Sequence, residues 1–304
     1  MTPFAAINAQ TLVDAVGLGA VYALMAVGIG LVFGVLRLIN FAYGQLVMAG
    51  AYTLAWTSAW PTAASVAACF AVVLVLSIVL ERTVFRPLRT QSPAVMLVTT
   101  FAIAFLLQSI ALILDLRDGT IGEAASTFAS LNQAVSVGGV DVRRVTIAAI
   151  VAAAIALGLL ALLLARTTIG LHMRAAAADF TTARLLGVRA DRVIGLAVIL
   201  SGLIAGLVAV ILTVQTPLVT PGFGLKETII VLVGVVVGGL DRLWTATLGG
   251  FAIGFATGVI NAALPTDKTV FLPSAVFALV IVVLLLRPGG LFSPRGRATV
   301  VERV

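Results

Sequence analysis

A single cysteine and a single histidine are the whole supply of thiol and imidazole in this 304-residue chain. Cys69 stands in the middle of an apolar run with no second thiol to pair with, which excludes a disulfide framework and a thiolate metal site. It reads as a small core residue. His172 sits in a basic segment without nearby carboxylates, so no metal site is expected. Charge is scarce as well: Asp, Glu, Lys and Arg make up 10% of the chain, against about 25% in a soluble globular protein. No Gly-Lys pair occurs anywhere, so the GxxxxGK[ST] loop that cradles phosphate on its backbone N–H groups is missing. The chain is therefore expected to bind no cofactor. The opening residues, MTPFAAINAQT, lack a positive n-region, which argues against a cleaved signal peptide.

What the chain has instead is apolar surface, at 61% hydrophobic residues. A helix needs roughly 20 mostly apolar residues to cross a hydrocarbon layer ~30 Å thick. Apolar windows bounded by charge, Gly or Pro fall at 12–36, 41–59, 61–80, 94–114, 145–165, 194–214, 228–240, 243–264 and 270–286. They lack the period-2 alternation of barrel strands and are rich in Ala and Leu, which leaves helix as the backbone state able to satisfy itself in lipid. The fold class read from this is all-α: a polytopic integral membrane helix bundle of about eight or nine transmembrane helices, including short or broken segments, as one domain over 1–304. Two windows are unusual. Window 228–240 is too short to span at 1.5 Å per residue, and window 41–59 starts straight after a polar break.

Arginine and lysine collect on the cytosolic side of membrane proteins. Placing the loop 81–93 inside puts 14 of the 19 Lys and Arg residues on the inner side, the N-terminus outside and the C-terminus in the cytoplasm. The net charge of +7 is thus a matter of topology and of anionic lipid heads, with no nucleic acid implied. Glycines four apart, Gly30 and Gly34, Gly202 and Gly206, and Gly250, Gly254 and Gly258, predict close helix packing.

Polar residues inside apolar runs are the candidates for a path. In VFGVLRLINFAYGQLVMAGAY, Arg37 marks an inner end or a helix break, since an arginine at the centre of a lipid-facing helix costs roughly 2.5–3.5 kcal/mol. Asn40 and Gln45 are either turn and cap residues or groups lining a cavity. Thr99, Thr100, Gln108, Gln215 and Asn261 are further candidates, each equally open to a helix–helix hydrogen bond worth about 0.6 kcal/mol. The loop TPLVTPGFG at 216–224, with Gly222 and Gly224 ahead of a short helix, is a candidate outer gate or re-entrant turn. The outer stretch 115–144 carries Asp115, Asp118, Glu123 and Asp141 beside three arginines, and reads as a polar connector or a docking surface for a soluble protein. Segments 34–50 and 238–254 each run apolar helix, break with an arginine, small-residue helix; a pair of broken segments in two halves is the usual pointer to a transporter's midplane site.

The inner loop 166–192, RTTIGLHMRAAAADFTTARLLGVRADR, differs from the others. Its stretch 173–186 is helix-forming throughout, Ala176, Ala183, Leu186 and Gly187 are spaced to put small residues along one face, and Gly187 is placed to cap the end. Such a helix is either a surface linker or a handle for a partner.

Four stretches in order, GLVFGVLRLINFAYGQLVMAGAY, MRAAAADFTTARLLGV, GLKETIIVLVGVVVGGLDRLWTATLGGFAIG and RPGGLF, make the chain resemble the inner-membrane permeases of ATP-binding-cassette importers for branched-chain amino acids, the LivH type, from about residue 12 to residue 294. The resemblance implies that the second stretch is a coupling helix, matched at Arg174, Ala175, Ala176, Asp179, Ala183, Arg184 and Gly187, and that the first breaks near the translocation path at Asn40 and Gln45. It implies two cytosolic ATP-binding subunits holding ATP and Mg, a second, similar permease subunit and an extracytoplasmic solute-binding protein, in a bacterial inner membrane. The pattern departs from the family after Gly238 and Gly239: LDRLWTATLGG stands where GxxxxPGAxxGG is common, with Asp241 and Arg242 positioned to pair and Trp244 in place of a small turn residue. Permeases of this kind for urea or short amides stay open as a reading. So does a proton- or ion-coupled secondary transporter, though that needs an ionisable group deep in the membrane, and Asp14 and Glu227 both fall near expected span ends. An intramembrane enzyme needs a nucleophile–base or metal cluster that the sequence does not offer.

Overall fold

The computed structural model describes residues 9–36, 40–88, 91–120, 122–125, 132–137, 140–178, 180–239 and 242–287. Arg37, Asp179 and Asp241, and residues 288–292 of RPGGLF, lie outside them.

Each of the nine apolar windows is a helix: α1 (Ala9–Leu36), α2 (Tyr43–Trp56), α3 (Thr62–Leu80), α5 (Pro93–Asp118), α6 (Arg144–Arg166), α9 (Ala190–Gln215), α10 (Leu225–Gly238), α11 (Leu243–Ala263) and α12 (Leu272–Leu286). Seven helical stretches among the described residues are long and apolar enough to cross a membrane; α2 and α10, at 14 residues each, are not. Between them lie a π-turn (Glu81–Phe85) that runs α3 into a single turn, α4 (Arg86–Leu88), and the pair α7 (Thr168–Ala178) and α8 (Phe180–Leu185). Local chemistry sets several boundaries. Ser92 accepts a hydrogen bond from the Val95 N–H ahead of Pro93 at the start of α5, and Gly119 at φ 71° ends that helix; both are ordinary helix signals.

The all-α expectation gains four short strands. Strand β1 (Glu123–Ala124) pairs antiparallel with β4 (Leu218–Val219), Glu123 opposite Val219. Strands β2 (Ala134–Val137) and β3 (Val140–Arg143) form a hairpin ahead of α6. The β1–β4 pair ties the segment after α5 to the segment after α9.

Helix α1 is the axis. It packs along α11 and also touches α9, α6 and α10, and nearly every residue from Ala20 to Val32 is buried. The α1–α11 seam is made by glycine. A Cβ on Gly254 would lie 2.8 Å from Gly19 Cα, and one on Gly258 would lie 2.6 Å from Ala15 Cα, so the backbones touch and dispersion replaces side-chain interdigitation. Gly206 packs on Phe70, whereas Gly34 has nothing within 4 Å; its place in a four-residue spacing therefore marks no helix contact. Gly254→Leu is expected to wedge the seam open and lower the thermal midpoint of the detergent-solubilised protein by several degrees, while Gly34→Leu leaves it in place. Equal midpoints for the two variants would contradict the seam. Outward faces of α3, α5, α6 and α12 carry exposed Val, Leu, Ile and Phe, including Val98, Leu106, Ile155 and Ile281, the surface a lipid solvent requires.

Candidate functional site

Helix α2 has no polar face and no exposed stripe: Tyr43 to Leu46 and most of the residues up to Ala55 are buried. It is enclosed by α3, α9, α10 and α5, and Gly50 lets it close on its neighbours, since a Cβ there would lie 2.8 Å from Ala209 Cβ and 3.0 Å from Cys69 Sγ. Cys69 is thus the small core residue expected. Fourteen residues rise about 21 Å, so α2 crosses only part of the bundle, and the same holds for α10.

The two short helices meet by their beginnings. A Cβ on Gly44, in the first turn of α2, would lie 2.6 Å from Thr228 Oγ1 and 2.7 Å from the Gly224 carbonyl oxygen; one on Gly224 would lie 2.7 Å from the Gly44 carbonyl oxygen. Gly224 also has φ 84°, a conformation that L side chains adopt only with strain. The N-cap residues, Ala42 and Gly224, give no side-chain cap to either helix. The Tyr43 ring rests against Gly28 of α1, about 12 Å from the Leu36 end of that helix at 1.5 Å per residue. Glu227 stands in the first turn of α10, at the start of that helix, as its position beside the apolar window suggested.

Several expected residues converge here. Asn40 is buried and its Oδ1 accepts the Ala42 N–H at 3.0 Å, a local turn that takes the turn-and-cap alternative. Thr100 Oγ1 accepts the Phe41 N–H at 3.5 Å and donates to the Leu97 carbonyl, fastening the run into α2 onto α5. Gln45 is fully buried, and neither amide atom has a hydrogen-bond partner. Gln108 points at the loop before α10: a Cβ on Gly222 would find its Nε2 at 3.9 Å. Thr99 stands apart and donates back to the Val95 carbonyl. Sequence reading missed Tyr43 and Thr228, both fully buried with unpartnered hydroxyls. Leaving a buried polar group unsatisfied costs about 1–3 kcal/mol, so such a concentration at one place is exceptional.

Gln215 and Asn261 belong to a second place. They line a polar cavity of about 320 Å³ at the end of the bundle where α1 starts, the near end, together with Gln10, Asp14, Arg143 and Thr146. Thr146 donates to Asp14 there at 3.5 Å. At the far end an apolar cavity of about 430 Å³ is walled by Leu31, Phe33, Leu164, Met173, Val235 and Trp244, so the tryptophan at the departing turn helps to line a cavity.

Two other expectations change. Asp115 belongs to the core: it is buried and accepts the Tyr52 hydroxyl at 2.7 Å, tying α5 to α2. Its other oxygen has no partner. Tyr52→Phe removes the one hydroxyl on that carboxylate and is expected to cost about 1.5–3 kcal/mol, read as a fall in thermal midpoint; an unchanged midpoint would contradict the tie. The helix expected over 173–186 is helical on both sides of residue 179, as α7 and α8. Met173, Ala176 and Ala183 face the chain's own core, at 3%, 4% and 4% exposure, while Leu185 and Leu186 stand out at 84% and 81%. The face expected from spacing is split: Ala176 and Ala183 pack down, while Leu186 and Gly187, grouped with them by spacing, are exposed. Gly187 ends the segment at φ 89°, with its N–H on the Arg184 carbonyl and that of Val188 on Ala183, the cap expected of it. Arg174 and Arg184 are exposed and Ala175 is half-buried.

Among the described residues, seven long apolar helices, one of them central, and two short helices that meet by their starts define a polytopic α-helical membrane protein. The family described as branched-chain amino acid transport system, permease component, matches residues 11–286. Over 294 residues the chain is 28% identical to the high-affinity branched-chain amino acid transport system permease protein BraD of Pseudomonas aeruginosa. Over 304 aligned positions it is 27% identical to the permease LivH of Escherichia coli; each alignment spans 93% of this chain and 94% of the relative. The chain belongs to this family of branched-chain amino acid permease components.

Proposed function

We infer that this chain is the membrane-spanning subunit of an ATP-driven importer and forms part of the path for branched-chain amino acids. The observation that carries the reading is the family match from residue 11 to residue 286, which takes in both half-helices and the α7–α8 segment. In this reading the near end faces outside with the N-terminus, and the far end, with α7, α8 and the C-terminus, faces the cytoplasm. Two ATP-binding subunits on that side hold ATP and Mg and grip segment 166–192 at Arg174, Ala175, Asp179, Arg184 and Gly187, with Leu185 and Leu186 outermost, while Ala176 and Ala183 seat the segment on the permease itself. A second, similar permease completes the pore, and a solute-binding protein delivers substrate to the near end. The chain itself catalyses nothing. Gln45, Gln108, Gly222 and Gly224 lie along the route through the α2–α10 junction, with Gln215 and Asn261 at its outer mouth.

Purification in mild detergent is expected to return a complex with a second permease and two ATP-binding subunits. In vesicles that complex should take up leucine only with ATP and the binding protein. Uptake that stops with an ionophore while ATP is maintained would favour the ion-coupled alternative.

A further inference from the structure

The geometry points to the far-end cavity as a binding site for an anionic phospholipid, with an acyl chain against its apolar walls and the phosphate on Arg174 and Arg242. This goes beyond the transport reading and rests only on the chain's crossing a membrane. The cavity holds about 430 Å³, within the roughly 300–1,000 Å³ of ordinary ligand clefts. Leu31 of α1, Met173 of α7 and Val235 of α10, all buried, line its inner part. Gly34 lines it too, and a Cβ there would meet nothing within 4 Å. The chain's own side chains leave this space open, and its walls suit an alkyl chain better than a polar solute.

Charge supplies the second, independent observation. Two guanidinium groups, Arg174 of α7 and Arg242 at the N-cap of α11, line the same cavity, and among the described residues no carboxylate does. Both arginines are exposed, so the charges stand at the opening with the apolar residues behind them. The planar fork of an arginine matches phosphate oxygens, and basic pockets between membrane helices take anionic lipid head groups. A free anion would leave the apolar walls empty, and a neutral tail would leave the guanidinium groups unanswered. A phospholipid with net negative charge meets both.

The level in the bundle agrees. The α1 residues that line the cavity begin at Gly30, about 9 Å from the Leu36 end of that helix at 1.5 Å per residue. Trp244, 62% exposed beside Arg242, is of the residue type enriched where head groups meet hydrocarbon. Arg242 and Trp244 both stand in the turn that departs from the family pattern, so the site belongs to this chain's own sequence. A phosphate on Arg174 and Arg242 together fastens α7 to the start of α11.

The test strips the complete transporter of lipid in mild detergent, titrates it with phosphatidylglycerol, and reads the affinity of the tightest-bound lipid by native mass spectrometry. Phosphatidylcholine, with the same tails and no net charge, is expected to bind roughly tenfold more weakly. Excess glycerol phosphate, a head without tails, is expected to leave the lipid in place. Arg242 is the arginine varied, because Arg174 also belongs to the segment assigned to the ATP-binding subunits. Arg242→Gln is expected to weaken phosphatidylglycerol roughly tenfold or more, about the worth of one hydrogen bond to a charged group, and Arg242→Lys less. Gly34→Leu, which fills the void while leaving the fold in place, is expected to weaken both lipids. Equal affinity for the two lipids, or wild-type affinity in either Arg242→Gln or Gly34→Leu, overturns the site. Displacement by glycerol phosphate would mark a site for a free anion and overturn the lipid assignment, and a complete transporter that binds no lipid would overturn it as well.

Discussion

A methyl group on Gly44 is expected to stop leucine uptake in the reconstituted transporter, by at least two orders of magnitude, with Gly224→Ala close behind it. Each glycine presents its bare backbone to the carbonyl of the other, and the added carbon has only 2.6–2.7 Å to Thr228 Oγ1 and to that carbonyl. A rotamer change cannot relieve this, because the obstructing atoms include backbone. At Gly224 the strain of a non-glycine residue at positive φ adds about 1–2 kcal/mol. The half-helices must then separate, which moves every group aimed at the junction, and displacement of about 1 Å is enough to cost orders of magnitude where geometry sets a rate. Gly222→Ala is the control: among the described residues Gln108 Nε2, at 3.9 Å, is the one neighbour such a carbon would meet, and uptake should stay within twofold of wild type. Uptake assays on the three variants, with expression checked on intact membranes, separate the cases. Equal uptake in Gly44→Ala and Gly222→Ala would contradict the head-to-head contact.

Replacing Leu185 and Leu186 together by aspartate is expected to release the ATP-binding subunits from the purified complex. These leucines are 84% and 81% exposed at the end of α8, on a soluble-facing loop where no lipid covers them in the proposed orientation. Fully burying a leucine side chain is worth about 1.5–3 kcal/mol, so the pair supplies up to about 6 kcal/mol to an interface, and two carboxylates reverse that sign. Because neither side chain packs on the chain's own core, the permease itself should fold and keep its thermal midpoint. Co-purification by tag on the permease, scored for ATP-binding subunits, gives the answer; full retention of those subunits by the double variant would remove α8 as the handle. Ala183→Leu is a different perturbation, since Ala183 is buried within the subunit, and it should lower stability before it touches assembly.

The spans were legible because lipid imposes one rule on every residue of a run, and nine apolar windows became nine helices. The shortness of 228–240 and the polar break before 41–59 pointed to the two half-helices. Their partnership was not legible: segments 34–50 and 238–254 share a pattern, yet the pair that meets is α2 with α10, and the contact runs through Gly44 and Gly224, 180 residues apart. Periodicity carries no information about which backbone a glycine touches. Thr228 and Tyr43 look like ordinary helix residues until burial shows their hydroxyls without partners. The PGFG run before a short helix was the one available signal, and it singled out Gly224. For 173–186 the spacing grouped Leu186 with Ala176 and Ala183, yet the alanines are buried and Leu186 is exposed; a sequence does not say which residues of such a helix meet its own core.

The account stands on the α2–α10 junction being part of the route that substrate takes. A thiol reacts as thiolate and so reports water access, and Thr228→Cys in a Cys69→Ala background puts one there. During cycling with ATP and binding protein, a membrane-impermeant thiol reagent should modify that position, and excess leucine should slow the modification. No modification in any state, or the same rate in a transporter arrested without nucleotide, would contradict it.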